Sequence, residues 1–159
     1  MSDINNQANQ KHFVAKLAFN DNSKIHGFEY RCMSVMIPSF EFDVIDTKKN
    51  GNIFKRSSGA LTHATVSVEI ILDEDLLIYE ELHELANNYK DFERFGDTLQ
   101  VLVYNNQHKH ILTMEFEDIL LSSIDGISYD LRNLGEVEMT TSLEIEFSDF
   151  KIKRIKNGK

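Results

Sequence analysis

The chain has 159 residues and a net charge of −9, with 26 acids against 17 bases. That balance disfavours a tight, non-specific grip on nucleic acid, which needs a cationic footprint, without excluding contact with DNA that slides past. One cysteine, Cys32, excludes an intrachain disulfide, and no apolar run approaches membrane-spanning length.

The length suits one domain with a proper core, and the lone thiol fits folding in a reducing cytosol. No repeat or composition break divides the chain. Residues 1–11 are polar, rich in Asn and Gln, and read as a flexible arm. Residues 12–156 read as a single domain. Phe13, Ala15, Leu17 and Phe19 alternate, which predicts a first strand. The turn formers Asn20 to Ser23 follow. A second strand is expected from Ile25 to Val35, with Phe28, Tyr30 and Cys32 on one face. Cys32 is then a small buried apolar residue. Met36-Ile37-Pro38 ends that strand, because proline cannot donate to a ladder.

Residues 40–60 predict a projecting hairpin or loop. Asn50-Gly51 is a strong hairpin-turn signal, and Lys48, Lys49, Lys55 and Arg56 make its tip basic. These six residues are candidates for a contact with an acidic surface on a partner. Thr62 to Leu72 alternates again, with Ala64, Val66, Val68, Ile70 and Leu72 on one face and Glu69 on the other. Asp73-Glu74-Asp75 then opens a helix, where acids favour the positive end of the dipole. Leu76, Tyr79, Leu82, Leu85, Ala86 and Tyr89 form its apolar stripe. Residues 91–97 form a linker. Leu99 to Tyr104 and Leu112 to Glu117 predict a hairpin across Asn105–His108. Residues 119–130 read as a loop with a short extended piece.

The last stretch, residues 136–155, is the most strongly patterned. Val137, Met139, Thr141, Leu143, Ile145 and Phe147 share one face, and Glu138, Glu144 and Glu146 fall on the other. After Phe147 the phase slips to Phe150 and Ile152, which predicts a β-bulge near Ser148–Asp149. The whole is α+β, mainly antiparallel: a sandwich or barrel with one flanking helix.

Catalytic chemistry leaves no signature. The chain has no phosphate-binding glycine loop, no nucleophile elbow and no Cys/His pair at a telling spacing. His108 and His110 lack a third and fourth ligand, so no metal or other cofactor is expected. The carboxylates lie along strand faces rather than converging. A monomeric small-ligand-binding β-barrel and an enzyme stay open as readings of the residues alone.

The order of features resembles the tail-tube protein family of contractile-tailed bacteriophages, with its type VI secretion and pyocin relatives. The features are a strand ending in Cys32…Met36-Ile37-Pro38, a long loop, the strand Ala64 to Ile70, and an acidic turn with a helix. The close is Phe116 to Ile124, Ile127 to Asp130 and the polar strand Glu138 to Phe147. The resemblance implies a β-barrel or sandwich of the tail-tube type, with the long loop between subunits. It implies homohexameric rings stacked into the inner tail tube of a virion, assembled in the host cytoplasm. The sheath protein wraps the outside, the tape measure protein and baseplate tube initiators are neighbours, and DNA traverses the lumen without specific binding. Glu69, Glu115, Glu138, Glu144 and Glu146 are the candidate lumen-facing residues. A baseplate tube initiator and a secretion-type tube protein are the alternatives within the family.

Overall fold

The computed structural model describes residues 12–19, 25–90, 96–132, 135 and 138–155. In chain order the elements are β1 (Phe13–Ala18), α1 (Phe28–Arg31), β2 (Cys32–Met36), β3 (Phe40–Lys49), β4 (Asn52–His63) and β5 (Val66–Ile71). They continue with α2 (Leu77–Lys90), β6 (Thr98–Tyr104), β7 (His110–Glu117), β8 (Leu120–Ile124), β9 (Thr140–Glu146) and β10 (Asp149–Arg154). One four-stranded sheet has the order β1-β6-β7-β10 and the other β2-β5-β9-β8. All the pairings are antiparallel. The third sheet is the β3-β4 hairpin alone.

Alternation decides which side chains the sheets bury. Val66, Val68 and Ile70 of β5 and Leu143 and Ile145 of β9 are inside, as are Leu99 and Val101 of β6 and Phe116 of β7. Both sheets contribute to a single core, so they form a sandwich closed by side chains rather than a barrel closed by hydrogen bonds. Burying each such side chain contributes about 1.5–3 kcal/mol. Ile78, Leu82 and Leu85 add the apolar stripe of α2 to the same core. The predicted stripe omits Ile78, which is buried, while Leu76, Tyr79 and Ala86 are only half-buried.

The cap of α2 matches the acidic turn. Asp73 accepts from Leu77 N at 3.1 Å and from Ile78 N at 3.3 Å, satisfying two of the helix's orphan donors. Partial burial opposes ionisation of Asp73. Backbone N–H groups of Asp73, Ile78 and Leu77 outweigh it and hold the carboxyl below its ordinary range.

Three expectations need correction. The stretch from Ile25 is not all strand. Gly27 takes a left-handed φ of 73°, and the N–H groups of Tyr30 and Arg31 both bond back to its carbonyl at 3.1 Å. The resulting single turn, α1, buries Phe28 and leaves Tyr30 86% exposed, so the two do not share a face. Residues 119–130 also hold a strand, β8, at the edge of the second sheet. A register shift between Leu121 and Ser123 breaks its alternation and hides it. Finally, the phase slip after Phe147 is not a bulge within one strand. β9 belongs to one sheet and β10 to the other, and the chain crosses between them at Phe147–Ser148. Ser148 N bonds to Glu117 O at 3.0 Å and anchors the crossing on β7. The 1–11 arm lies outside the described residues.

Candidate assembly surfaces

The β3-β4 hairpin stands apart from both four-stranded sheets. Its turn is Asn50-Gly51, with φ of 52° and 80°, the two positive φ values that a tight hairpin turn requires. The predicted contact residues Lys48, Lys49, Asn50, Gly51, Lys55 and Arg56 are all exposed and gather at this end of the hairpin. What the sequence reading missed is the apolar content beside them. Phe42, Val44, Ile45, Ile53 and Phe54 are between 48% and 68% exposed. Register puts Ile45, Thr47, Phe54 and Arg56 on one face and Val44, Asp46, Ile53 and Lys55 on the other. Neither face is covered. A lone two-stranded ribbon is marginal in water, and this one leaves apolar side chains on both faces open to solvent.

At the hairpin base lies an aromatic notch of ≈300 Å³, lined by Phe40, Phe42, His63, Phe147, Asp149 and Phe150. The His63 and Phe147 rings stack at 3.9 Å, and the Phe40 and Phe150 rings at 4.8 Å. Phe116 meets Phe147 edge-on from inside the core. The notch therefore joins the hairpin to the point where the chain changes sheets.

The five candidate lumen carboxylates do not share one surface. Glu69 on β5 and Glu144 and Glu146 on β9 point away from the core on the β2-β5-β9-β8 sheet. Around them stand Ser34, Ser67, Ser142 and Thr65; Ser34 Oγ donates to Glu69 at 3.4 Å, and Thr65 Oγ1 donates to Glu144. None of the four strands of that sheet contains a lysine or arginine. Glu138 is exposed just before β9, beside a depression of ≈430 Å³ between that segment and Gly126–Asp130. Glu115 belongs to the opposite sheet, on β7. There Lys153 Nζ donates to it at 2.8 Å, and Lys151 Nζ reaches both oxygens of Glu117 at 2.6 Å. Glu117, helped by Asp149 and Glu115, raises the Lys151 pKa. Among the described residues, one outer face thus carries paired charge and the other carboxylates with no lysine or arginine in the same strands.

Other singled-out residues have local roles. Burial pushes the Cys32 thiol up to about 12. The His110 ring contacts Thr113 Oγ1 at 2.8 Å. His83 packs edge-on against Tyr79 rather than joining a reactive group. The His26 backbone N donates to Glu81 at 2.7 Å, and its ring also touches that carboxylate, tying the Gly27 turn to α2. Among the described residues no three His, Cys, Asp or Glu side chains are grouped to hold a metal, and no helix is long and apolar enough to cross a membrane.

No family model matches the sequence, and no curated relative does. Solved structures match along almost the whole chain. A chain in the cryo-EM structure of the anti-feeding prophage tube-terminating cap shares 11% identity, with a TM-score of 0.70. The match covers 96% of this chain and 94% of that one. The fold is that of contractile-injection tube and cap proteins. A chain in the sheath/tube terminator of an extracellular contractile injection system gives 13% identity and a TM-score of 0.69, covering 94% and 99%. A type six secretion system protein gives 12% identity and 0.53, covering 88% and 82%.

Proposed function

We propose that this chain is a non-catalytic ring subunit of a contractile injection tube, the inner tail tube of a phage. Six copies join their sheets into a ring, and rings stack into a channel inside a sheath. The carrying observation is the β2-β5-β9-β8 face, whose outward carboxylates have no lysine or arginine in the same strands. Lining a lumen with Glu69, Glu138, Glu144 and Glu146 repels phosphate and lets DNA slide without sticking. Glu115 belongs outside that lumen, on the face where lysines answer the carboxylates. The edges β2 and β8 of the acidic sheet invite pairing with a neighbour, and a closed ring removes them. The exposed hairpin, basic near its turn, supplies a contact between copies or between rings. The tape measure protein and baseplate initiators are the further neighbours on this reading.

A tube-terminating or tube-initiating ring is the second reading. It is supported by TM-scores of 0.70 and 0.69 to chains in the cap and terminator structures against 0.62 in a sheath-tube complex. Electron microscopy of the purified chain, with light scattering over a range of concentration and salt, tests both. Stacked tubes support the tube subunit, and single closed rings support the terminal ring. A strict monomer throughout, stabilised by a small apolar ligand, overturns both in favour of a ligand-binding domain.

A further inference from the structure

We propose that the aromatic notch at the hairpin base receives Phe54 of a second copy of this chain, with Arg56 of that copy meeting Asp149 at the rim. This rests on the assembly reading above and names the contact that the hairpin makes.

The notch is an unfilled apolar site. Its walls are Phe40, Phe42, Phe147, Phe150 and the His63 ring, and ≈300 Å³ leaves room for one aromatic side chain. Phe42 on its rim is 68% exposed. Leaving such an aromatic surface wet is unfavourable, and a ring inserted edge-on or offset removes it from water.

The hairpin supplies a matching group. Phe54 is 48% exposed on a face it shares with Arg56. A subunit cannot fill its own notch with it. Phe54 lies opposite Thr47, five positions along β3 from Phe42 and seven from Phe40. At roughly 3.3 Å per residue the ring is held about 15–25 Å from its own notch. The occupant therefore comes from another copy.

Charge fits the same pairing. The Asp149 side chain is 59% exposed and pairs with Lys151 at 3.7 Å, while that lysine engages Glu117 more closely, at 2.6 Å. A guanidinium two residues from the inserted ring meets a carboxylate in fork geometry. The hairpin brings the cation and the notch offers the anion.

The test uses the full chain. In a Cys32→Ser background that keeps Phe54 and Arg56, Thr47→Cys, beside Phe54 on the same hairpin face, and Ser148→Cys are combined and oxidised during assembly. A ladder of disulfide-linked oligomers is expected from the combined variant and not from either cysteine alone. Separately, Arg56→Glu and Asp149→Arg are each expected to raise the concentration needed for association about tenfold, and the charge-swapped double variant to restore it. If the wild type forms rings or tubes but no ladder appears and the swap restores nothing, the notch pairing is wrong while the tube reading stands. If Phe54→Ala assembles normally while Asp149→Arg does not, something else occupies the notch, and the proposal also fails. If the wild type never associates, both readings fall.

Discussion

The imidazole of His63 lies flat on the ring of Phe147, with centroids 3.9 Å apart and planes 13° from parallel. His63 ends the second strand of the hairpin, and Phe147 is the residue at which the chain leaves one sheet for the other. Two elements far apart in sequence are therefore fixed to one another by two stacked pairs, His63 on Phe147 and Phe40 on Phe150. The angle at which the hairpin leaves the sandwich is set where the two sheets are joined.

Phe147 is the first residue to test. It is 6% exposed and contacts Phe116 at 4.9 Å and Phe40 at 6.3 Å as well as His63. Phe147→Ala removes the ring from this cluster and is expected to cost about 3–5 kcal/mol in equilibrium denaturant unfolding. A loss below about 1 kcal/mol, the range of surface substitutions, would mean that the sandwich does not depend on this corner.

The hairpin, in contrast, contributes little to the sandwich. Val44, Ile45, Ile53 and Phe54 are exposed and absent from the core. Deleting Lys48 to Arg56 should leave the thermal midpoint of the isolated chain close to the wild-type value and abolish assembly. The readouts are calorimetry on dilute protein and electron microscopy on concentrated protein. Normal rings or tubes in the deletion variant would remove the hairpin from assembly.

How legible these features are in the sequence depends on whether their cause is local. Alternation in β5, β6 and β9 reveals the buried faces, because strand geometry imposes a period of two wherever one face meets a core. Asn50-Gly51 and the Asp73 cap are equally local, each made by a few adjacent residues. The sheet crossing at Phe147–Ser148 is different. A bulge and a change of sheet both skip one residue, and only the partner strands tell them apart. The turn at Gly27 hides because one glycine φ replaces a strand that Phe28, Tyr30 and Cys32 would otherwise predict. The notch has no local signature at all, since it collects residues 40, 42, 63 and 147–150. The acidic sheet face is half legible. The carboxylates stand out in sequence, but separating Glu115 from the rest takes the pairing of β7 with β10.

Asp73 links helix capping to pH. Its carboxyl titrates below the ordinary range in the folded chain, so the stabilisation it supplies is complete above the unfolded pKa, about 4. It is lost as pH falls through the lower folded value. Asp73→Ala should cost about 1 kcal/mol at neutral pH. The gap between variant and wild type should close as acid protonates the wild-type cap. Denaturant titrations at several pH values measure it, and a gap independent of pH would mean that the carboxylate is not the cap.

Cys32 should be chemically quiet. With the thiol pushed up to about 12, almost none is thiolate at neutral or mildly alkaline pH. Alkylation by iodoacetamide at pH 8, followed by mass spectrometry, should be far slower in the folded chain than in denaturant. Equal rates would show that the thiol is not shielded.

The two outer faces can be told apart by reversing their charge. Glu69 and Glu146 lie on the sheet whose strands hold no lysine or arginine, and Glu115 is ion-paired with Lys153. If the first face lines a channel, Glu69→Lys with Glu146→Lys converts a repelling wall into an attracting one. Assembled rings of that variant should retain short DNA in a gel-shift or filter assay at low salt, and lose it steeply as salt rises. Glu115→Lys should also disturb its own sheet, where Lys151 and Lys153 stand on the neighbouring strand, but bind DNA only on an open outer surface. Retained DNA should therefore resist nuclease in the first variant and remain accessible in the second. Protection in the Glu115 variant alone would reverse the assignment and put the β1-β6-β7-β10 sheet around the lumen.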